Sequence, residues 1–174
     1  YRVQDDNYSY QGDYSRRLSD DYSKSYTIPF DVETDGYTDI KIEFWFHTIG
    51  FDNGEGFYLD YWDGETWSTI KYLEYGNNFN NTFFHFEKIT ISNTTYAFPQ
   101  DARIRIRCNS SYSREYVYID EVTISALPPV EPPPVENWQQ LTYDGFETGW
   151  GNFIDGGSYC YRVQDDYYSY QGDY

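Results

Sequence analysis

The chain has 174 residues and is strongly acidic, with 12 Lys and Arg against 29 Asp and Glu and a formal net charge of -17. This charge repels phosphate backbones and anionic lipid headgroups, so it excludes nucleic acid as a partner. No stretch approaches the roughly 18 consecutive apolar residues of a membrane span, so we expect no membrane insertion. The 22 Tyr, 12 Phe and 5 Trp, with no Met, favour strands over helices and predict an all-β domain.

Alternating apolar and polar residues indicate where the strands lie. The stretch 40–46, IKIEFWF, has the period of two that is typical of a strand with one face on a core. The dipeptide Asp63-Gly64 predicts a tight turn that joins antiparallel strands at 56–62 and 67–73. Further strands are predicted at 8–18, 26–32, 82–91, 103–108, 116–125 and 141–146. Their spacing predicts a two-sheet antiparallel β-sandwich.

The first and last 14 residues are two copies of one sequence, offset by 160 positions. They read YRVQDDNYSYQGDY and YRVQDDYYSYQGDY, and they differ only where Asn7 stands against Tyr167. A period of this length is in the usual size range of one autonomous domain. The sequence therefore predicts a β-sandwich that is repeated in tandem, as beads along one chain.

The run LPPVEPPPV, at 127–135, contains five of the seven prolines. The fixed φ and the missing amide N–H of proline favour an extended polyproline II spacer over a strand or a helix. We therefore place the main part of one β-sandwich repeat at 1–126, a Pro-rich linker at 127–136 and the first strands of the next repeat at 137–174.

The chain has two cysteines, Cys108 and Cys160. An even count in a chain with other extracellular features favours a disulfide. In the repeat register this disulfide lies between repeat copies, because Cys160 belongs with the Cys108 equivalent of the following copy. The alternative is a pair of buried free thiols.

Four N-x-S/T sequons lie in polar stretches, at Asn7, Asn80, Asn93 and Asn109. In a eukaryotic source they are candidates for glycosylation, and in a bacterial source they have no meaning. Together with the cysteines they lead us to expect an extracellular or cell-surface protein.

Read from the proline-rich run onward, the repeat begins LTYDGFETGWGNFIDGGSYC and closes with RIRIRCNSS and YVYIDEVTIS. Its diagnostic positions are Phe146-Glu147 near the start, Gly172 before a strand, the paired strands that end in Trp67, and Ile119-Asp120-Glu121-Val122 in the last strand. With these features the repeat resembles the MAM and cleaved-adhesin type of jelly-roll modules of cell-surface and secreted proteins. MAM modules usually carry four cysteines, so the adhesin-like relatives are the better match. The resemblance implies a jelly roll that binds partners, sugars or itself and is not a catalyst.

Asp120 is the acid that a strict alternation along its strand places on the inward face. A buried carboxylate needs a cation, an Arg or a set of amide donors. The resemblance implies that Asp120 and Glu147 help to hold a structural metal ion, with Asp173 near them, and hard oxygen ligands favour Ca²⁺. The competing interpretation is a salt bridge to an arginine of the 103–108 strand.

Three arginines alternate along that strand, at Arg103, Arg105 and Arg107. This basic stripe is either a solvated strand face that pairs with carboxylates across the sheet or an inter-repeat contact that receives the acidic surface of the next bead.

Four aromatic residues are candidates for a flat carbohydrate platform on which sugar rings stack: Trp45, Tyr58, Trp62 and Trp67. The alternative is packing of one sheet against its own glycan, the linker or a neighbouring copy.

No catalytic motif accompanies the two histidines, His47 and His85, and we expect no enzyme activity. The sequence predicts a structural or adhesive extracellular tandem-repeat protein that forms a fibre or a cell-surface stalk, with neighbouring repeats or subunits as its partners. The alternative is a multivalent carbohydrate-binding module with glycans as its partners.

Overall fold

The computed structural model describes residues 3–4, 8–19, 24–27, 29–112, 114–129, 138–144, 153–155 and 160–164. These residues form two antiparallel sheets that pack face to face, with no helix, which confirms the predicted all-β sandwich. Sheet A contains β1 (Val3–Gln4), β2 (Tyr14–Ser19), β4 (Asp39–Ile49), β7 (His85–Ser92), β9 (Tyr116–Leu127), β10 (Gln139–Asp144) and β12 (Cys160–Gln164). Sheet B contains β3 (Lys24–Thr27), β5 (Gly56–Trp62), β6 (Trp67–Glu74), β8 (Arg103–Asn109) and β11 (Phe153–Asp155).

Strand β4 shows how the alternating sequence builds the core. Ile40, Ile42, Phe44 and Phe46 are each at most 1% exposed, while the residues between them are only half-buried. Successive side chains of a strand point to opposite faces, so one face of β4 enters the core and the other forms the outer face of sheet A. In sheet A, β4 lies between β9 and β7, in the order β1-β2-β9-β4-β7.

The hairpin predicted around Asp63-Gly64 is present. Strands β5 and β6 pair antiparallel up to Trp62 opposite Trp67, and Gly64 takes a φ of 96°. The Asp63 carboxylate accepts hydrogen bonds from the amides of Glu65 and Thr66 and closes the turn. Sheet B has the order β11-β3-β8-β5-β6, so this hairpin forms one of its edges.

The predicted strand at 8–18 is shorter than expected. Only Tyr14–Ser19 is a strand, and residues 8–13 form a loop over the outer face of sheet A. Gly12 adopts a φ of 67°, which a strand does not allow, and the backbone amides of Tyr10 and Gln11 bond to a side chain instead of a neighbouring strand. We call residues 8–13 the covering loop.

The strands that follow the proline-rich run pair with strands that precede it. β10 pairs with β9, β11 with β3 and β12 with β2, all antiparallel and all within this chain. An array of repeats offers each of these strands identical partners in the adjoining copy. The division of the chain at 127–136, and the tandem repetition itself, therefore stay predictions.

Candidate functional site

A bulge in β9 turns Asp120 to the outer face of sheet A. Phe44 of β4 lies opposite two residues of β9, Glu121 and Val122, and Glu121 takes a φ of 50°. A bulge inserts one residue and reverses which face the following side chains occupy. Strict alternation predicted Asp120 on the core face, and this was wrong: Asp120 stands directly opposite Trp45, on the face away from the core.

The covering loop buries Asp120 completely. Its Oδ2 accepts hydrogen bonds from the amide of Tyr10 at 2.7 Å, the amide of Gln11 at 2.9 Å and the hydroxyl of Ser9 at 3.1 Å. Its Oδ1 accepts one from the amide of Glu121 at 2.9 Å. Burial raises the pKa of Asp120 well above its ordinary value, and the amide donors act against this rise. The carboxylate therefore anchors the loop.

The anchored loop places an aromatic ring over a tryptophan. Tyr10 stacks on Trp45 with ring centroids 3.7 Å apart and an interplanar angle of 7°. Phe86, from the neighbouring strand β7, lies 5.2 Å from Trp45 and is 49% exposed. Aromatic faces held in this way bind apolar surfaces, sugar rings or cations.

These rings line an open cleft of about 440 Å³ on the outer face of sheet A. Its polar lining comes from Gln11, Glu43, Glu121 and Thr123. The carboxylate of Glu43 also binds Lys41 at 2.8 Å. We call this the aromatic cleft. It combines aromatic rings with hydrogen-bonding groups, which is typical of a ligand-binding pocket.

The calcium prediction falls partly outside the described residues, because Glu147 and Asp173 both lie there. Asp120 already has four hydrogen-bond donors on its two oxygens, so its surroundings fit an anion that amides compensate and do not fit a bound cation. The Ca²⁺ set as a whole stays a prediction.

Three other acids come together that the sequence did not single out. Oxygens of Asp52, Glu55 and Glu115 lie within 4.8 Å of one another. Glu55 accepts a hydrogen bond from the amide of Ser111, and Glu115 one from that of Tyr112. Burial and the nearby charge of Glu55 raise the pKa of Glu115, against the effect of the Tyr112 amide. Asp52 and Glu55 lie three residues apart in one loop, and only the fold brings Glu115 beside them.

Two of the three stripe arginines bind a buried carboxylate. Asp60, 1% exposed, accepts bonds from Arg105 at 2.8 Å and Arg107 at 2.5 Å. Arg105 stacks over Trp67 at 4.2 Å and Arg107 over Tyr58 at 4.4 Å. These contacts lie within one sandwich and match pairing across the sheet; an inter-repeat contact stays a prediction.

The third arginine differs from the other two. The Nε of Arg103 is buried and has no hydrogen-bond partner among the residues that the structure describes. Its strand neighbour across the sheet is Trp62, whose indole N–H donates to Asp101 at 3.2 Å.

The four candidate platform residues do not share one surface. Trp62 and Trp67 pair across the β5–β6 hairpin with ring centroids 5.5 Å apart, and Tyr58 lies on the same face of sheet B. Trp45 lies on sheet A, on the opposite side of the sandwich. Trp45 instead has Tyr10 and Phe86 as its aromatic neighbours, and sequence spacing gave no sign of either.

The two cysteine positions lie in different sheets. Cys108 of β8 is buried, with its Sγ 3.5 Å from the Oγ of Ser110. The backbone of Cys160 in β12 pairs opposite Leu18, whose side chain belongs to the same core as Cys108. The side chain of Cys160 lies outside the described residues, so the disulfide stays a prediction.

The sequons differ in their surroundings. Asn7 lies outside the described residues. The side-chain oxygen of Asn80 accepts two hydrogen bonds from Thr82. The side-chain amide of Asn93 donates to the carbonyl of Tyr37 at 3.0 Å, and that of Asn109 donates to the hydroxyl of Tyr72 at 2.9 Å. Only Asn93 of these three is exposed. Glycosylation at all four sites stays a prediction.

Both histidines pack among aromatic rings. His47 lies 5.4 Å from the ring of Tyr8 and 5.1 Å from that of Phe84, and its Nδ1 has no hydrogen-bond partner within the described ranges. Burial, with the charge of His85 as a second cause, lowers the pKa of His47 to about 4. His85 stacks on Phe46 at 5.3 Å.

No protein-family model matches the chain, and no curated protein is similar to it. Within the part of the chain that the structure describes, no helix is long and apolar enough to cross a membrane.

Proposed function

We propose that this chain is a repeating unit of an extracellular structural or adhesive protein, which acts by binding and not by catalysis. The observation that carries the proposal is the aromatic cleft. The buried carboxylate of Asp120 binds the covering loop, and the bound loop holds the ring of Tyr10 stacked on Trp45. Strained backbone such as that of Glu121 concentrates at functional sites, and here it borders the cleft.

In this proposal, adhesion is strengthened by the number of repeats along the chain. The repeated end sequences predict many copies of the cleft along one chain, and several weak sites on one chain multiply binding without any new contact. The large acidic excess keeps separate chains apart, so a fibre or a cell-surface stalk stays soluble. In this proposal the disulfide stiffens each bead, and neighbouring repeats are partners.

A second candidate function is a multivalent carbohydrate-binding module. The aromatic rings that line the cleft favour it, because an open aromatic face accepts the apolar face of a sugar ring. Glu43, Glu121 and Gln11 at the sides of the cleft offer acceptors and donors for hydroxyl groups.

Binding to a glycan array, with electron microscopy of the native polypeptide, separates the two functions. The test variant is Trp45→Ala, and the matched control is Trp62→Ala, which removes a tryptophan from the other sheet. Under the structural proposal the chain binds no saccharide on the glycan array, and the native material forms unbranched filaments. Saccharide signals that Trp45→Ala abolishes and Trp62→Ala keeps support the second function. Flexible chains without filaments contradict the fibre and leave the cell-surface stalk.

A further inference from the structure

Two copies of the repeated sequence pair with the same strand in the same register. In β1, Val3 stands opposite Ser15 and Gln4 opposite Tyr14. In β12, Val163 stands opposite Ser15 and Gln164 opposite Tyr14. The two strands are equivalent positions of the repeat, 160 residues apart. Strand β2 is therefore the partner of this sequence from whichever copy it comes.

The two copies reach β2 by different routes. β1 is joined to β2 directly through residues 5–13, whereas β12 arrives from the far side of the proline-rich run. Slipping an antiparallel pair by one residue moves every side chain to the other face, so a common register reflects a sequence-specific fit. Chain connectivity is not what selects the pairing.

We propose that strand β12 of one copy of this chain pairs with β2 of a second copy, so that neighbouring copies are joined by exchanged strands. β10 and β11 travel with β12, because all three follow the proline-rich run and all three pair with strands that precede it. The exchanged form makes the same pairs as the closed chain. The balance between the two forms then depends on the hinge and on the concentration of copies.

The hinge sequence favours the exchanged form. Ala126 and Gln139 stand opposite each other in the β9–β10 pair, so within one chain the two ends of the connecting sequence lie side by side. That connection contains five prolines, and proline-rich sequences prefer an extended conformation to a reversal. A connection that prefers an extended conformation therefore favours pairing of β10, β11 and β12 with a second copy of the chain.

The experiment uses the 174-residue chain with the paired substitutions Ser15→Cys and Val163→Cys. An equal mixture of unlabelled and ¹⁵N-labelled protein is concentrated, oxidised, digested and analysed by mass spectrometry, which distinguishes this bond from those of Cys108 and Cys160. Exchange predicts that about half of the cross-linked dimers contain one labelled and one unlabelled partner. Only intrachain bonds between positions 15 and 163 at every concentration would overturn the proposal.

A second measurement needs no new cysteine. Light scattering after size exclusion should show dimers or larger forms of the unaltered chain that increase with concentration. Consecutive amides of a strand point to opposite sides, so in Arg162→Pro/Val163→Pro one removed N–H faces β2, and dimers should fall by about tenfold. The matched control is Arg2→Pro/Val3→Pro in the upstream copy. A purely monomeric chain, or equal loss with both variants, contradicts exchange. Trp45→Ala should leave exchange intact, which separates this test from that of the proposed function.

Discussion

Asp120 and Tyr10 are joined by a 2.7 Å hydrogen bond from the Tyr10 amide to the buried carboxylate, while the Tyr10 ring stacks on Trp45 at 3.7 Å. Trp45 stands directly opposite Asp120 in the β4–β9 pair. One loop residue thus covers both members of a cross-strand pair, with its backbone on the acid and its ring on the indole. The order of the cleft depends on the buried carboxyl group of Asp120, to which the loop is bound.

Replacing Asp120 with Ala should therefore destabilise the fold and loosen the cleft together. Three amides and a hydroxyl lose their acceptor, so we expect the free energy of unfolding to fall by about 2–4 kcal/mol. Urea denaturation measures this loss. The change in total tryptophan fluorescence, compared with that of a Tyr10→Ala variant, reports whether the ring stack on Trp45 is lost as well.

Asp120→Asn is the matched control, because its amide oxygen can keep one set of acceptor bonds. Its free energy of unfolding should therefore fall by less than that of Asp120→Ala. The Asp120→Ala loss should be the same in EDTA and in excess Ca²⁺, since N–H and O–H donors compensate the carboxylate. A calcium-dependent rise in Tm that disappears in Asp120→Ala would show instead that Asp120 binds the metal.

Asp60 should make the sandwich sensitive to strong acid. Burial acts to raise the pKa of Asp60, but bonds from Arg107, Thr69 and Arg105 outweigh it and hold the pKa below its ordinary value of 3.8. A lowered folded pKa gives stability that is present above pH 3.8 and is lost as the pH falls through the folded pKa. Urea denaturation between pH 5 and pH 2 should show this loss in the unaltered chain. In Asp60→Asn the free energy of unfolding should decrease less steeply with falling pH. Parallel slopes would contradict the assignment.

At neutral pH, Asp60→Asn should lower the free energy of unfolding by about 3–5 kcal/mol, because two arginines lose a buried charged partner. Asp39→Asn, on sheet A and only half-buried, is a control that should change stability little.

His47 should make stability fall at mildly acidic pH. Its pKa is about 4 in the folded chain against 6.5 as the ordinary value, because burial favours the neutral ring. The unfolded chain then binds an extra proton between these values, so stability decreases as the pH falls from 6.5 to 4. His47→Phe keeps the ring packing against Tyr8 and Phe84 and should lose this part of the decrease. An NMR titration of the His47 ring with a midpoint near 6.5 would contradict the prediction.

Gly56 should tolerate no side chain. A Cβ at this position would lie 1.9 Å from the backbone oxygen of Leu73 in the paired strand β6. Gly56→Ala must push the two strands apart, and we expect a loss of about 2–4 kcal/mol in urea denaturation. Gly54→Ala is the control, because Gly54 has a φ of 88° and no atom within 4 Å of its Cβ position. In Gly54→Ala only the strained backbone should lower the free energy of unfolding, by about 1 kcal/mol. Equal losses would show that crowding at Leu73 is not the cause.

The local pattern of the sequence was sufficient for the core strand β4 and for the β5–β6 hairpin. Alternation at 40–46 placed Ile40 and Phe46 in the core, and Asp63-Gly64 marked the hairpin, since both features depend on neighbours along the chain. The need of a buried Asp120 for compensation also followed from residue type, because a carboxylate away from water requires donors or a cation wherever it lies.

Tertiary structure alone decided where that compensation comes from and what it builds. The bulge at Glu121 broke the period of two and turned Asp120 outward, and no local pattern announces a bulge. The donors of Ser9, Tyr10 and Gln11 lie about 110 residues away along the chain. Trp45 and Trp62 looked alike in sequence, yet opposite sheets separate them. Contacts between distant segments depend on sheet order and register, which the whole fold sets and no single segment encodes.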